Sequence, residues 1–306
     1  MTYFNIAYLY ETVVVTERVL RCERFDCYYP AVRRSIPGRH FAKNLVERRT
    51  LIFQLVKRDF QQRYIGSAAG WLWGLIHPLV LLAIYTFIFS VCLKTPLGPG
   101  EVTRNYALYL LSGMLPWLLF NETVLRSSSS IVEQANLVTK TMFPSEIVPV
   151  SIFLSSLISH LLAVGLFVIV VGVTQGHLPS PTIALLPVGV FLLGLLAVGI
   201  GWMVASLQVY LRDTAQVVMV ALTLWYWITP IMIPRATYPV ARFPKTVHAI
   251  LVANPLVYIV EAYRQMLLGN SLPWRDMAIA AGFGATAFVL GGLFFRQMKR
   301  GFADVL

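Results

Sequence analysis

The sequence predicts an all-α integral membrane protein of about six transmembrane helices, with both termini in the cytoplasm. Three observations carry that expectation. The chain of 306 residues is 57 % hydrophobic and 13 % charged, against about 45–50 % and about 25 % for an ordinary globular chain. It holds several charge-free stretches of the roughly 20 apolar residues that a bilayer crossing requires. Most of its Lys and Arg residues stand outside those stretches and are unevenly shared between their two sides, the bias that sets membrane orientation.

The elements follow in order. Residues 1–43 show no clear period and read as an N-terminal cytoplasmic extension. Met1 to Val15 has no basic start, carries Glu11 and ends in no small-residue cleavage site, so it does not read as a signal peptide. Over 44–65 the apolar residues Ile52, Val56, Phe60 and Tyr64 recur at i, i+4, which predicts an amphipathic helix lying in the cytoplasmic interface. Asp59 and Arg63 border its stripe. Such a helix suits either an anionic lipid surface or a docking partner.

The first span is expected over 71–93, which carries no charged side chain, and the second over 106–124, with Pro116 and Trp117 inside it predicting a kink. The segment 126–146 is polar and serine-rich, then mixed. A short helix there would present Leu137, Val138 and Phe143 to a partner and end at Pro144. From 147 to 211 no Asp, Glu, Lys or Arg occurs, too long for one span. Gln175, Gly176, His177, Pro179 and Pro181 divide it, giving a third span over 147–173 and a fourth over 183–210. A fifth opens at 214–229. Pro230, Pro234, Pro239 and Pro244 then interrupt the chain, so 230–269 reads as a re-entrant or outer-face segment, tolerated where protein or a watery cavity covers it. The sixth span is expected over 277–295.

Lys43, Arg48, Arg49, Lys57, Arg58 and Arg63 precede the first span, and Arg296, Lys299 and Arg300 follow the last. Both flanks are therefore expected inside. Arg235, Arg242, Lys245, Arg264 and Arg275 fall by this count at or near the outer surface.

Several function classes are disfavoured. The net charge of +11 is explained by orientation rather than nucleic acid. Cys22, Cys27 and Cys92 have neither disulfide-framework nor zinc spacing, and the histidines lie in different segments, so no metal or catalytic cluster is expected. No Gly-Lys dipeptide occurs, which excludes the phosphate-cradling GxxxxGK[ST] loop. Active transport would then draw its energy from another subunit. Aromatic side chains are dense near the spans: Tyr85, Phe87 and Phe89, then Trp117 and Phe120, then Trp225, Tyr226 and Trp227. They mark membrane interfaces or form a row along which a sugar chain slides. Gly70 and Gly74, with Gly199, Gly201, Gly282, Gly284, Gly291 and Gly292, offer small surfaces for close helix packing.

Specific runs add a resemblance. Arg58-Asp59-Phe60-Gln61-Gln62-Arg63-Tyr64-Ile65-Gly66-Ser67 leads to Gly70-Trp71-Leu72-Trp73 and Pro78-Leu79. Tyr109-Leu110-Leu111-Ser112-Gly113-Met114-Leu115-Pro116-Trp117 follows, with Thr141-Met142-Phe143-Pro144, Tyr210-Leu211-Arg212-Asp213, Thr229-Pro230, Asn254-Pro255 and Phe302-Ala303-Asp304. Together, over 44–306, they resemble the membrane subunits of ABC-type polysaccharide exporters, the Wzm and TagG family that moves lipid-linked O antigen or teichoic acid. Residues Met1 to Phe41 match nothing in that family.

The resemblance implies a homodimer of six-helix permease subunits in the bacterial cytoplasmic (inner) membrane, with two copies of an ATP-binding subunit docked beneath. ATP and Mg would sit on that partner, and this chain would bind no cofactor and no metal of its own. The segment 126–146 would be the coupling helix, contacting the ATPase through Leu137, Val138, Lys140, Met142, Phe143, Pro144 and Glu146. Lys57, Arg58, Arg63 and Tyr64 on the interface helix would meet the diphosphate of a polyprenyl-linked glycan, since basic side chains suit that group. Tyr85, Phe89, Trp117, Phe120, Trp225 and Tyr226 would line the channel. Pro230, Asn254, Pro255 and Glu261 would belong to outer gate helices. Alternatives are an exporter of a small lipid or drug, or a membrane glycosyltransferase or acyltransferase, for which Glu122, Glu133 and Glu146 are too dispersed.

Overall fold

The computed structural model describes residues 48–67, 70–94, 97, 101–140, 143–176, 180–232, 245–269 and 271–306. The expected extension 1–43 lies outside them. Among the described residues the regular structure is entirely helical, and five helices are long and apolar enough to cross a membrane.

Helix α1, Arg49–Tyr64, has Arg63 in its last turn, where a cation favours the dipole. It packs on α5 with Ile52 buried, while Phe53 stays 69 % exposed. The chain leaves it through Gly66 and Gly70, at φ +78° and +52°, a region that costs glycine nothing because it has no Cβ. Helix α2, Trp73–Thr86, continues as a wider π-helical turn over Phe87–Cys92. It stands at the side of the bundle, with Val80, Ile84, Phe87 and Val91 exposed.

Helix α3, Tyr106–Glu133, is capped by the Asn105 side chain, which accepts from the Ala107 and Leu108 amides at 3.0 and 3.4 Å. It runs through Pro116 as one helix and continues past 124 through the serine run. The reason lies in the hydroxyls. Ser128 and Ser130 donate to the carbonyls of Leu125 and Ser127 at 2.6 and 2.7 Å, so these polar side chains are satisfied by their own helix and need no water. A short helix α4, Ala135–Lys140, follows.

Helix α5, Ile147–Gln175, ends at Gly176 in the left-handed conformation, the usual C-terminal stop. A 3-10 turn, Pro181–Leu185, leads into α6, Leu186–Tyr210. Helix α7, Thr214–Ile228, is apolar but has only 15 residues, short of the roughly 20 needed to cross unaided. Then come α8, Lys245–Ala253; α9, Pro255–Leu268; α10, Trp274–Met298; a 3-10 turn Lys299–Gly301; and α11, Phe302–Val305.

Helices α3 and α6 form the centre. Helices α5, α7 and α9 pack on both, α2 on α3, and α10 on α6. Glycine permits the closest approach: a Cβ on Gly291 would lie 2.1 Å from the Gly199 carbonyl oxygen, and one on Gly199 would lie 2.4 Å from that of Ala287. The short helix α9 is no outer appendage. Its Leu256, Val257, Ile259, Val260, Tyr263 and Met266 are buried against its neighbours.

Candidate functional site

An ionic junction ties α1 to the bundle. Asp59 and Arg63 lie one turn apart on α1, and Glu122 and Arg126 one turn apart on α3. Arg63 pairs with Glu122 and, at 3.5 Å, with Asp59; Arg126 pairs with Asp59 and approaches Glu122 to 3.8 Å. Arg63 also donates to Ser155, Ser156 and Ser159 of α5 at 3.2, 3.2 and 3.4 Å. Two guanidinium groups thus face two carboxylates, the compensation that partial burial of charge demands. Burial pushes the Asp59 carboxyl up, but hydrogen bonds from Arg126 and Ser155 and the charges of Arg126 and Arg63 outweigh it and hold the group below its ordinary value.

Two cavities flank the junction. One of about 240 Å³ is polar, lined by Arg58, Asp59, Gln62, Arg126, Ser129 and Glu133 among others. The other, about 440 Å³, joins an apolar wall of Trp73, Pro78, Leu115 and Leu119 to a polar edge of Arg63, Glu122, Arg126 and His160. Of the basic residues expected to meet a diphosphate, Lys57 and Arg58 are exposed. Arg63 is engaged by carboxylates, and the side chain of Tyr64 lies outside the description.

Five of the six expected channel aromatics form one seam of ring contacts across α2, α3 and α7. Tyr85 lies 6.4 Å from Tyr226, which lies 5.2 Å from Trp117; Trp117 meets Phe120 at 6.0 Å, and Phe120 meets Trp225 edge-on at 5.3 Å. Phe89 belongs to a second cluster, stacked on Tyr106 at 6.1 Å, with Tyr106 beside Tyr109. Phe120 and Trp117 are buried within the chain, whereas Trp227, next to Tyr226, is exposed. Such ring separations suit tilted and edge-to-face packing.

The Thr229-Pro230 and Asn254-Pro255 dipeptides meet. Asn254 accepts from Trp225 Nε1 at 2.9 Å and from the Leu256 amide at 3.0 Å, and donates to Thr229 Oγ1 at 3.0 Å. Pro255 occupies the first turn of α9, where its missing N–H costs nothing, and Pro230 is buried. One side chain therefore caps α9 and fastens it to the end of α7.

Arg264, counted by charge among the residues at or near the outer membrane surface, is a core side chain of the bundle. It is 1 % exposed, its guanidinium stacked over Tyr109 and donating to the Ile231 carbonyl at 2.7 Å. Glu261 lies 3.6 Å away. Glu101, in the loop before α3, is pushed up by burial and by the charge of Glu261, with Arg264 opposing.

In the segment expected to couple to a partner, Val138 and Phe143 are half-buried and Pro144 is buried. Leu137 and Lys140 lie on α4 with side chains outside the description, as is Met142. Glu146 pairs with Lys299, and its carbonyl accepts from Trp202 Nε1 at 2.9 Å. Glu122 and Arg126, Arg264 with Tyr109, and Lys299 escaped the reading of the sequence. Only the i, i+4 spacing of Glu122 and Arg126, matching that of Asp59 and Arg63, was a usable signal.

Comparison with known proteins places this geometry. Residues 50–268 match the family model described as ABC-2 type transporter. The chain is 28 % identical over 242 residues, 78 % of its own length and 89 % of the relative's, to an O-antigen export system permease protein RfbA of Myxococcus xanthus. It is 25 % identical over 260 residues, 84 % and 95 % of the two lengths, to an O-antigen export system permease protein RfbA of Klebsiella pneumoniae. A polysialic acid transport protein KpsM of Escherichia coli is 23 % identical over 219 residues, 70 % and 80 % of the two lengths.

Proposed function

The chain belongs to the ABC-2 type transporter family, and from that premise we propose that it is the channel-forming subunit of an ATP-driven polysaccharide exporter. The substrate class is a polyprenyl diphosphate-linked glycan of the O-antigen kind, carried across the bacterial cytoplasmic membrane. One observation carries the reading: relatives covering most of both chains are O-antigen export permeases. The half-buried Tyr85 and Tyr226 and the exposed Trp227 at the edge of the aromatic seam support it, because ring faces give a sugar chain stacking surface without fixed polar partners.

In this reading α7 crosses the membrane as the fifth of six spans and α10 as the sixth, and α8 and α9 form the gate between them, with Asn254 as its fastening. Two copies enclose the channel. In support, α2 and α7 leave much of their apolar surface uncovered by the rest of the chain, including Ile84, Val91, Val220 and Leu224. Two ATP-binding subunits hydrolyse ATP with Mg and press on α4 and the residues up to Glu146. Helix α11 packs on α4, and α1 pairs with Arg126 in the part of α3 that leads toward α4, an arrangement that fits an even number of crossings with both termini cytoplasmic. The substrate diphosphate meets Arg58 in the lining of the polar cavity and the neighbouring exposed Lys57, since Arg63 is already compensated.

The test is deletion of the gene, followed by measurement of surface glycan and of its lipid-linked precursor inside the cell. Loss of surface glycan with precursor accumulating is expected; unchanged surface glycan would reject the proposal. Co-purification with an ATP-binding partner, abolished by Val138→Asp, checks the coupling surface.

A further inference from the structure

The last turn of the chain touches both ends of the segment 135–146. Lys299, first residue after α10, pairs with the Glu146 carboxylate, whose side chain is 12 % exposed. Helix α11 packs on α4. The turn between them is fixed: Phe302 is buried, edge-on to Phe295 at 5.6 Å and 6.2 Å from Tyr210. The Tyr210 hydroxyl donates to the Met298 carbonyl at 2.7 Å. A Cβ on Gly301 would stand 2.6 Å from that hydroxyl oxygen, so a side chain there would displace the Tyr210 hydroxyl from its place.

We propose that residues 299–305 are a brace for the coupling segment, with Lys299 and Phe302 as positioning residues that tie its displacement to α10. The proposal rests on the reading that 135–146 receives the ATPase. A helix of six residues such as α4 is not stable by itself and transmits force only as far as its supports allow. One support is covalent: Glu146 leads straight into α5. The brace is the other, and it leads into α10. Both α5 and α10 pack on α6, so a push at one segment moves two helices against a common neighbour.

The test uses the full chain with its partner ATPase in native membranes. Lys299→Glu sets two carboxylates against each other, and the pair exchange Lys299→Glu with Glu146→Lys restores the attraction. For each, complex yield, ATP hydrolysis and surface glycan are measured. The single variant is expected to assemble and to hydrolyse ATP while glycan exported per ATP falls about fivefold or more, the lower end of ordinary coupling energies. The exchange is expected to recover most of that loss. Wild-type export per ATP in an assembled Lys299→Glu complex, or failure of the exchange to restore it, overturns the brace. Should Lys299→Glu fail to accumulate, Phe302→Leu, which keeps the apolar plug but loses the ring contacts, is read by the same ratio, and an unchanged ratio overturns the proposal equally. Val138→Asp separates the two ideas: if it leaves partner binding and export intact the coupling reading falls, whereas its disruption beside silent 299 and 302 variants sinks the brace alone.

Discussion

The guanidinium carbon of Arg264 on α9 lies 3.8 Å from the centroid of the Tyr109 ring on α3, in a space left open by Gly113. A Cβ at that glycine would stand 2.8 Å from Arg264 Nη2. The planar cation thus bridges α9, α3 and the Ile231 carbonyl beyond α7.

Arg264→Lys keeps the charge but loses the plane that stacks on the ring. It is expected to lower the midpoint of thermal unfolding in detergent, by a loss of about 1–3 kcal/mol typical of a disrupted buried hydrogen bond. Gly113→Ala gains about 1 kcal/mol of helix propensity and loses more by displacing Arg264. A net rise in stability for Gly113→Ala would contradict the contact.

The Asp59 junction gives a pH dependence whose sign follows from its lowered pKa. Stability from Asp59 is complete above its unfolded value, near about 3.9, and is lost as pH falls through the lower folded value. Hydrogen exchange of the α1 amides should therefore accelerate only below about pH 4. Asp59→Asn should accelerate it at neutral pH, and identical exchange in the two proteins would refute the pairing.

Glu101 has the opposite sign. Its raised pKa means that the folded arrangement binds the proton more tightly than the unfolded chain. Stability from this group is full below the unfolded value, about 4.3, and falls as pH rises through the folded one. Glu101→Gln, which mimics the neutral form, should raise the unfolding midpoint at pH 7 and flatten its slope between pH 4 and 7; a lowered midpoint would count against this environment.

Gly291→Val places side-chain atoms where the Gly199 carbonyl oxygen stands. Overpacking costs about 1–3 kcal/mol where a core can give, and here the obstacle is backbone. The chain is expected to fail to accumulate in membranes, while Gly282→Val, with nothing within 4 Å of its Cβ position, accumulates normally.

Asn254→Ala removes the α9 cap and the links to Trp225 and Thr229 together. The cap alone is worth about 1 kcal/mol. Trp225→Phe removes a single donor and should cost less. Equal losses in thermal unfolding would mean that Trp225 carries the whole fastening.

Apolar length and charge-free runs were enough to place five membrane-crossing helices, because lipid demands long helices whatever they pack against. They did not reveal that α3 continues past 124. Ser127 to Ser130 look solvated in one dimension, yet Ser128 and Ser130 return their hydroxyls to their own helix. Nor did they reveal Arg264 as a core residue. Its charge marks a surface position in a linear count, and a distant ring, a carbonyl, a missing Cβ and the Glu261 carboxylate one turn away make burial tolerable.

The sequence by itself determined that this chain lives in a bilayer, where its helices lie along it, and through short motifs the family it belongs to. Those properties are local: hydropathy over about 20 residues and runs of neighbouring side chains. Tertiary structure alone decided which charges are neutralised and which remain exposed. Asp59 finds Arg126, Glu146 finds Lys299 and Arg264 finds Tyr109 across separations that no period records, because the energy of a partly buried charge depends on what folding brings beside it.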